Sequence, residues 1–202
     1  MFKSTKVIEL GSCAFRQPTA TSHCKYLHGY RLTAKFWFEA DALDQNNWVV
    51  DFGGLKDLKM TLQDQFDHTT CVSIEDPKLP LFKQLFDEGL CDLRIMDGVG
   101  IEKFAEFCQG TAQRFVDGLT DGRCRCVKVE VFEHENNSAI YEVKSNAIQP
   151  GNKVNEPGAE NEESLNNFTG NQPKINNKPQ PIKQTKTINK WVDEKSTNVW
   201  GM

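Results

Sequence analysis

Cys24, His28, Asp67, His68 and Glu133 are the residues whose types and neighbours could carry acid–base or metal chemistry in this chain. The stretch HCKYLHGYRL, residues 23–32, sets Cys24 four positions before His28 and leaves Tyr30 on the same strand face as His28. A thiol acts as nucleophile or base only as thiolate, and a nearby imidazolium or metal lowers its pKa. Asp67 and His68 adjoin in QFDHTT, where the carboxylate can orient the imidazole and support its cationic form. Glu133 precedes His134 in VEVFEHE, and His23 completes the four histidines of the sequence. Each signal alone is weak. A lone cysteine is more often a small core hydrophobe, and an Asp-His pair is more often structural, so both readings of each residue stay open at this level.

The pattern around these residues tells which elements must position them. TKVIELGSCAF alternates as a half-buried strand does. LHGYRLTAKFWFEADAL places Leu32, Ala34, Phe36 and Phe38 on one face and Arg31, Thr33, Lys35 and Trp37 on the other, so Cys24 lies at the entrance of a long strand. NNWVVDF reads as a turn and a short apolar strand. Leu55, Leu58, Leu62 and Phe66 share one helical face, which would deliver Asp67 and His68 at its end, with Thr69 and Thr70 as turn residues. PLFKQLFDEGL is a shorter helix. GIEKFAEFCQGTAQRFVDGL is a longer one, with Ile101, Phe104, Ala105, Cys108, Ala112 and Phe115 as the buried stripe. RCRCVKVEVFEHE and SAIYEV return to strand alternation, with Cys124 and Cys126 on one face. Helices and antiparallel-looking strands mixed in this way make the class α+β.

Composition sets limits on function. The chain of 202 residues has a formal charge of −4, which points to neither nucleic acid nor an anionic membrane as partner. No apolar run reaches the roughly 20 residues that span a bilayer, and the N-terminus lacks the apolar stretch of a secretory signal. Seven irregularly spaced cysteines fit reduced thiols, hence a cytoplasmic location. Near residue 146 the text turns rich in Asn, Pro, Lys, Glu and Gln. Residues 1–145 are therefore read as the folded domain and 146–202 as a disordered polar tail. The tail ends in KWVDEKSTNVWGM, either a frayed end or a tethered docking motif for a protein partner.

Taken in order, C-x-x-x-H-G-Y, then WVVDFGGLK, FDH, a GIE helix start, VFEH and AIY resemble the 6-pyruvoyl-tetrahydropterin synthase family, which includes the 6-carboxytetrahydropterin synthases of queuosine biosynthesis. The resemblance covers about residues 5 to 142. It implies a tunnelling fold (T-fold), an antiparallel four-stranded sheet with helices on one face, whose subunits form a homo-oligomer with ligands at the interfaces. It implies a lyase acting on a pterin, 7,8-dihydroneopterin triphosphate. Carried across, Cys24, Asp67 and His68 take the catalytic proton-transfer positions. Glu133 takes that of the pterin anchor, a carboxylate able to accept two parallel hydrogen bonds from the ring edge. Glu102 takes the Glu of the family's P-T-x-E helix start, whose P-T is Val99-Gly100 here.

The resemblance also implies zinc, with His28 as a ligand, but the ligand set is incomplete. The last residue of the family's H-G-H is Tyr30, and the family's F-x-A-x-H strand corresponds to AFRQPTATS, which has no histidine. His23 is the nearest substitute. A catalytic zinc needs three protein ligands and an open position, and Tyr30 would serve only as a phenolate. Two further readings follow: a zinc-depleted T-fold that binds a pterin or purine-like ligand as a non-enzymatic adaptor, and a cyclohydrolase-like or reductase-like activity on a similar ring.

Overall fold

A computed structural model describes residues 1–144. The polar tail and its tryptophan segment lie outside the described residues. The first strand, β1 (Phe2–Phe15), pairs antiparallel along its whole length with β2 (His28–Ala40). Ile8 and Leu10 are buried, and then Cys13 and Phe15, so the inward parity of β1 changes once. A register shift between Glu9 and Gly11 is the cause: one extra residue turns the following side chains over and aims Phe15 into the core. In β2, Leu32, Ala34, Phe36 and Phe38 are all fully buried, as the alternation requires.

Three helices follow from the apolar spacing. The first, α1 (Lys56–Phe66), buries Leu58, Leu62 and Phe66. The second, α2 (Leu79–Asp87), has proline in its first turn, where no amide partner is lost, and buries Phe82. The third, α3 (Ile101–Thr120), buries the expected stripe as far as Ala112 and then Val116, with Phe115 packed at its margin. Phe104 of α3 meets Phe15 and Phe66 edge-on, with ring centroids 5.1 Å away in both cases, and these contacts join α1, α3 and the sheet.

The last two strands, β5 (Cys124–His134) and β6 (Asn137–Glu142), pair antiparallel, and β5 lies beside β2. The expected antiparallel four are therefore β1, β2, β5 and β6. They are extended by two short strands, β3 (Thr69–Ser73) and β4 (Leu93–Met96), which add parallel to β1 and give the order β4-β3-β1-β2-β5-β6. Thr69 and Thr70 are thus not turn residues: every residue of β3 is buried, so the sheet has claimed them. NNWVVDF, conversely, forms no strand. Val49 and Val50 are buried, but the segment is held by loop contacts, with Asp44 accepting from the backbone amides of Asn46 and Trp48.

An ion pair with a buried carboxylate and a set of buried thiols accompany the apolar side chains. Arg16, just beyond β1, donates twice to Asp76, whose carboxylate is wholly buried. Cys108, Cys124 and Cys126 are buried in the core. Burial pushes the Cys124 thiol up to about 11 and the Cys126 thiol up to about 12.

Candidate functional site

Residues from four distant parts of the chain meet around one cavity of about 430 Å³. Its walls carry Phe15 at the end of β1 and Gln17 beyond it, Cys24, His28 at the start of β2, Gly100 to Glu102 at the start of α3, and Glu133 with Asn136 to Ser138 around the β5–β6 turn. Cys24, His28, Glu102 and Glu133 thus share a single concavity. Local interactions explain how each arrives there.

Cys24 sits in a single 3-10 turn, His23–Lys25, capped by Ser22, whose Oγ accepts from the Cys24 amide. The Cys24 carbonyl accepts from the Gln17 amide at 2.9 Å, which ties the turn to the exit of β1. His28 holds the Tyr26 carbonyl at 2.7 Å through Nδ1. A carbonyl can only accept, so Nδ1 is the protonated nitrogen and Nε2 is free to accept a proton or bind a ligand. Glu102 lies in the first turn of α3, where the helix N-terminus favours a carboxylate. Gly100 stands two residues before it at φ 110°, and a Cβ there would meet the side-chain Nε2 of Gln17 at 2.7 Å. Glu133 falls where the β5–β6 register shifts between Phe132 and His134. Such a bulge re-aims one side chain out of the ladder.

Asp67 and His68 are elsewhere. His68 lines a second concavity, also of about 430 Å³, with Tyr30, Cys13, Arg31, Thr69 and Asp92 among its walls. Asp67 Oδ1 accepts from the Ser12 amide at 3.1 Å and lies 2.9 Å from His68 Nδ1. His68 has φ 60°, a left-handed conformation uncommon outside glycine, and its amide donates to the Ser12 carbonyl at 2.7 Å. Its side chain is 85% exposed, so the imidazole projects outward from the chain. Within one chain, then, Cys24 and Glu133 share one hollow, and His68, with Asp67 beside it, opens onto another.

The donor set does not fit a catalytic zinc. Among the described residues no three His, Cys, Asp or Glu side chains are grouped to hold a metal ion. His23 is exposed and does not line the cavity, and Tyr30 faces the second concavity. What stands beside His28 is Phe15. The two are register partners across β1 and β2, and their ring centroids are 4.9 Å apart. Tyr30 stands edge-on to His28 at 5.7 Å. Phe15 was not among the residues singled out from the sequence. The signal was AFRQ at the end of an alternating strand, at the point where the resemblance calls for a histidine.

Comparison with known proteins adds the following. Residues 7–144 match a family model described as 6-pyruvoyl tetrahydropterin synthase. Over 80 residues the chain is 31% identical to the 6-carboxy-5,6,7,8-tetrahydropterin synthase of Rickettsia conorii, a stretch covering 39% of this chain and only 57% of that protein. It is 24% identical over 140 residues to the enzyme of the same name from Aquifex aeolicus, covering 63% of this chain and 80% of the other. Among solved structures, an uncharacterized protein from Wolinella succinogenes superposes with a TM-score of 0.62 at 17% identity, over 71% of this chain and 98% of that one. A catalytic-residue mutant of the 6-pyruvoyltetrahydropterin synthase of Plasmodium vivax gives 0.50 at 15% identity, over 70% and 98%. At such identities the structural likeness speaks for the fold alone.

Proposed function

The chain belongs to the 6-pyruvoyl tetrahydropterin synthase family and has its tunnelling fold, and we propose that it is a lyase acting on a pterin, of the 6-carboxytetrahydropterin synthase type. The observation that carries this reading is the gathering of Cys24, Glu102 and Glu133 around one cavity. Glu133 anchors the ring by accepting from its amide N–H and exocyclic amine, hydrogen bonds that a carboxylate makes strongly. Cys24 moves protons at the ring substituent, and Glu102 holds the opposite polar edge. The substrate in this reading is 7,8-dihydroneopterin triphosphate, and the product is a tetrahydropterin for a deazapurine or pterin pathway.

The Asp67–His68 pair completes the proton-transfer set only if a second copy of the chain supplies it. Its exposure on a separate concavity supports a homo-oligomer in which one subunit's His68 closes the cavity of another. The His68 imidazole is 85% exposed and so within reach of a second copy, and an unusual backbone conformation of this kind gathers at functional positions. We place the protein in the cytoplasm, with its reduced thiols. The tail, in this reading, carries a docking motif for a protein partner.

One observation favours a second reading. Phe15 and Tyr30 stand where donors are required, so the chain could bind a pterin or purine-like ring as a non-enzymatic adaptor. Incubating the purified full chain with 7,8-dihydroneopterin triphosphate and following tetrahydropterin formation separates the two. The lyase reading expects turnover that Cys24→Ala abolishes while leaving ligand affinity nearly unchanged. Tight pterin binding without turnover in the parent protein would establish the adaptor.

A further inference from the structure

The surroundings of His28 are those of a metal centre with its donors removed. A zinc bound by three imidazoles at about 2.0–2.1 Å keeps their ring centroids roughly 5 Å apart. Phe15 and His28 have this spacing at 4.9 Å, and Tyr30 stands somewhat farther out, 5.7 Å from His28 and 6.2 Å from Phe15. The backbone has therefore kept a three-ring corner. Yet Phe15 has no lone pair to offer, and its side chain is packed in the core at 1% exposure. Tyr30 is engaged edge-on with His28 and lies 6.1 Å from the ring of His134. Of His28 itself only Nε2 is free, since Nδ1 is held by Tyr26.

We infer that this cavity works without a catalytic metal: Phe15 occupies a donor's position and forms an aromatic wall with His28 in the metal's place, while Tyr30, edge-on to His28, faces the second concavity. Ligand is then held by the Glu133 and Glu102 carboxylates opposite an apolar, imidazole-bearing surface. This deepens the pterin reading and rests on it only for the identity of the ring. The wall follows from the sheet itself, because the bulge at Gly11 turns Phe15 inward and the register sets it against His28. A single Tyr30→His change leaves the corner one donor short. Phe15→His together with Tyr30→His supplies three imidazoles at this corner.

Zinc bound to the purified full chain is measured after equilibration with the ion and gel filtration. The parent protein is expected to retain far less than one zinc per chain, and the Phe15→His/Tyr30→His variant to approach one. Near-stoichiometric zinc in the parent that is lost on His28→Ala overturns the inference, and so does a folded double variant that gains none. Should the double variant not fold, cobalt(II) titration of the parent decides: no visible d–d absorption is expected, and a band that His28→Ala removes would overturn the proposal. Neopterin affinity, measured by fluorescence with and without chelator, is expected to agree within about twofold, and a tenfold loss on chelation counts against it. A folded protein that binds no neopterin at all fails the pterin reading, while the zinc count still decides this one.

Discussion

The Asp67 carboxylate rests on the backbone of Gly11, so closely that a Cβ at that position would lie 2.2 Å from Oδ1. Gly11 also has φ 106°, a region that side chains disfavour. One glycine therefore does two things: it turns β1 over and it gives Asp67 room to accept from Ser12. Gly11→Ala is expected to destabilise the fold by about 2–3 kcal/mol, from backbone strain together with the displaced carboxylate. Hydrogen exchange at the Ser12 amide should accelerate in the variant, because its acceptor moves. An unchanged melting temperature with a still-protected Ser12 amide would show that the contact is incidental.

Glu133→Gln preserves shape but exchanges an acceptor for a donor that would face the N–H groups of a bound ring. The expected loss in pterin affinity is about 2 kcal/mol, the scale of a charged hydrogen bond replaced by a mismatched one. Calorimetry on parent and variant tests this, and equal affinities would return Glu133 to a structural role.

Arg16 and Asp76 give a prediction about stability. Removing one partner of a buried ion pair leaves the other charge uncompensated, so Arg16→Met should cost about 3 kcal/mol in denaturant unfolding. Changing both, as Arg16→Met/Asp76→Leu, should recover part of that loss. A double variant no better than the single one would mean that Asp76 matters mainly through the Lys78 amide, which donates to it at 2.8 Å.

The buried thiols predict a fall in stability at alkaline pH. Free thiols ionise near 8.5, whereas burial raises Cys124 to about 11 and Cys126 to about 12. In the folded protein these thiols keep their protons at pH values where the unfolded chain has lost them. Their contribution is therefore complete below about pH 8.5 and is lost as pH rises towards the folded values. The slope is at most about 1.4 kcal/mol per pH unit for each thiol. Denaturant midpoints at about pH 8 and about pH 10 should differ less for Cys126→Ala than for the parent; equal differences would refute the assignment.

Much of the fold was legible because burial enforces periodicity. Leu32 to Phe38 alternate, and Leu58, Leu62 and Phe66 recur at helical spacing, since each must face the same core. Thr69 to Ser73 escaped this reading because β3 is buried on both faces and shows no alternation, while its threonines and the preceding Asp-His suggested a turn. NNWVVDF misled in the opposite direction. Buried valines satisfy an apolar count whether or not a ladder forms, and here Asp44 organises a loop instead. In the candidate site, Cys24 and Glu133 were found through the order of short motifs, and no local pattern could have shown that they share a cavity. Phe15 was invisible as a site residue because a phenylalanine in a strand reads as core. Only the β1–β2 register reveals that it sits against His28. That His68 opens onto a different hollow could not be read from residue types at all, since it depends on which side of β1 receives the end of α1.

The placement of β5 beside β2 has a consequence for how the molecule reaches its working state. β1 and β2 are close in sequence, but Thr33 must find Phe132, with all three helices folded in between. Pairings between such distant segments carry the largest loop-closure cost and form slowly. Glu133 is delivered only by that pairing, whereas His28 and Cys24 come with the first hairpin. Refolding should therefore pass through chains that already possess helices and the β1–β2 ribbon but have a cavity open on the Glu133 side. Recovery of ligand binding would lag behind recovery of helical circular dichroism, and destabilising the β2–β5 seam would lengthen that lag.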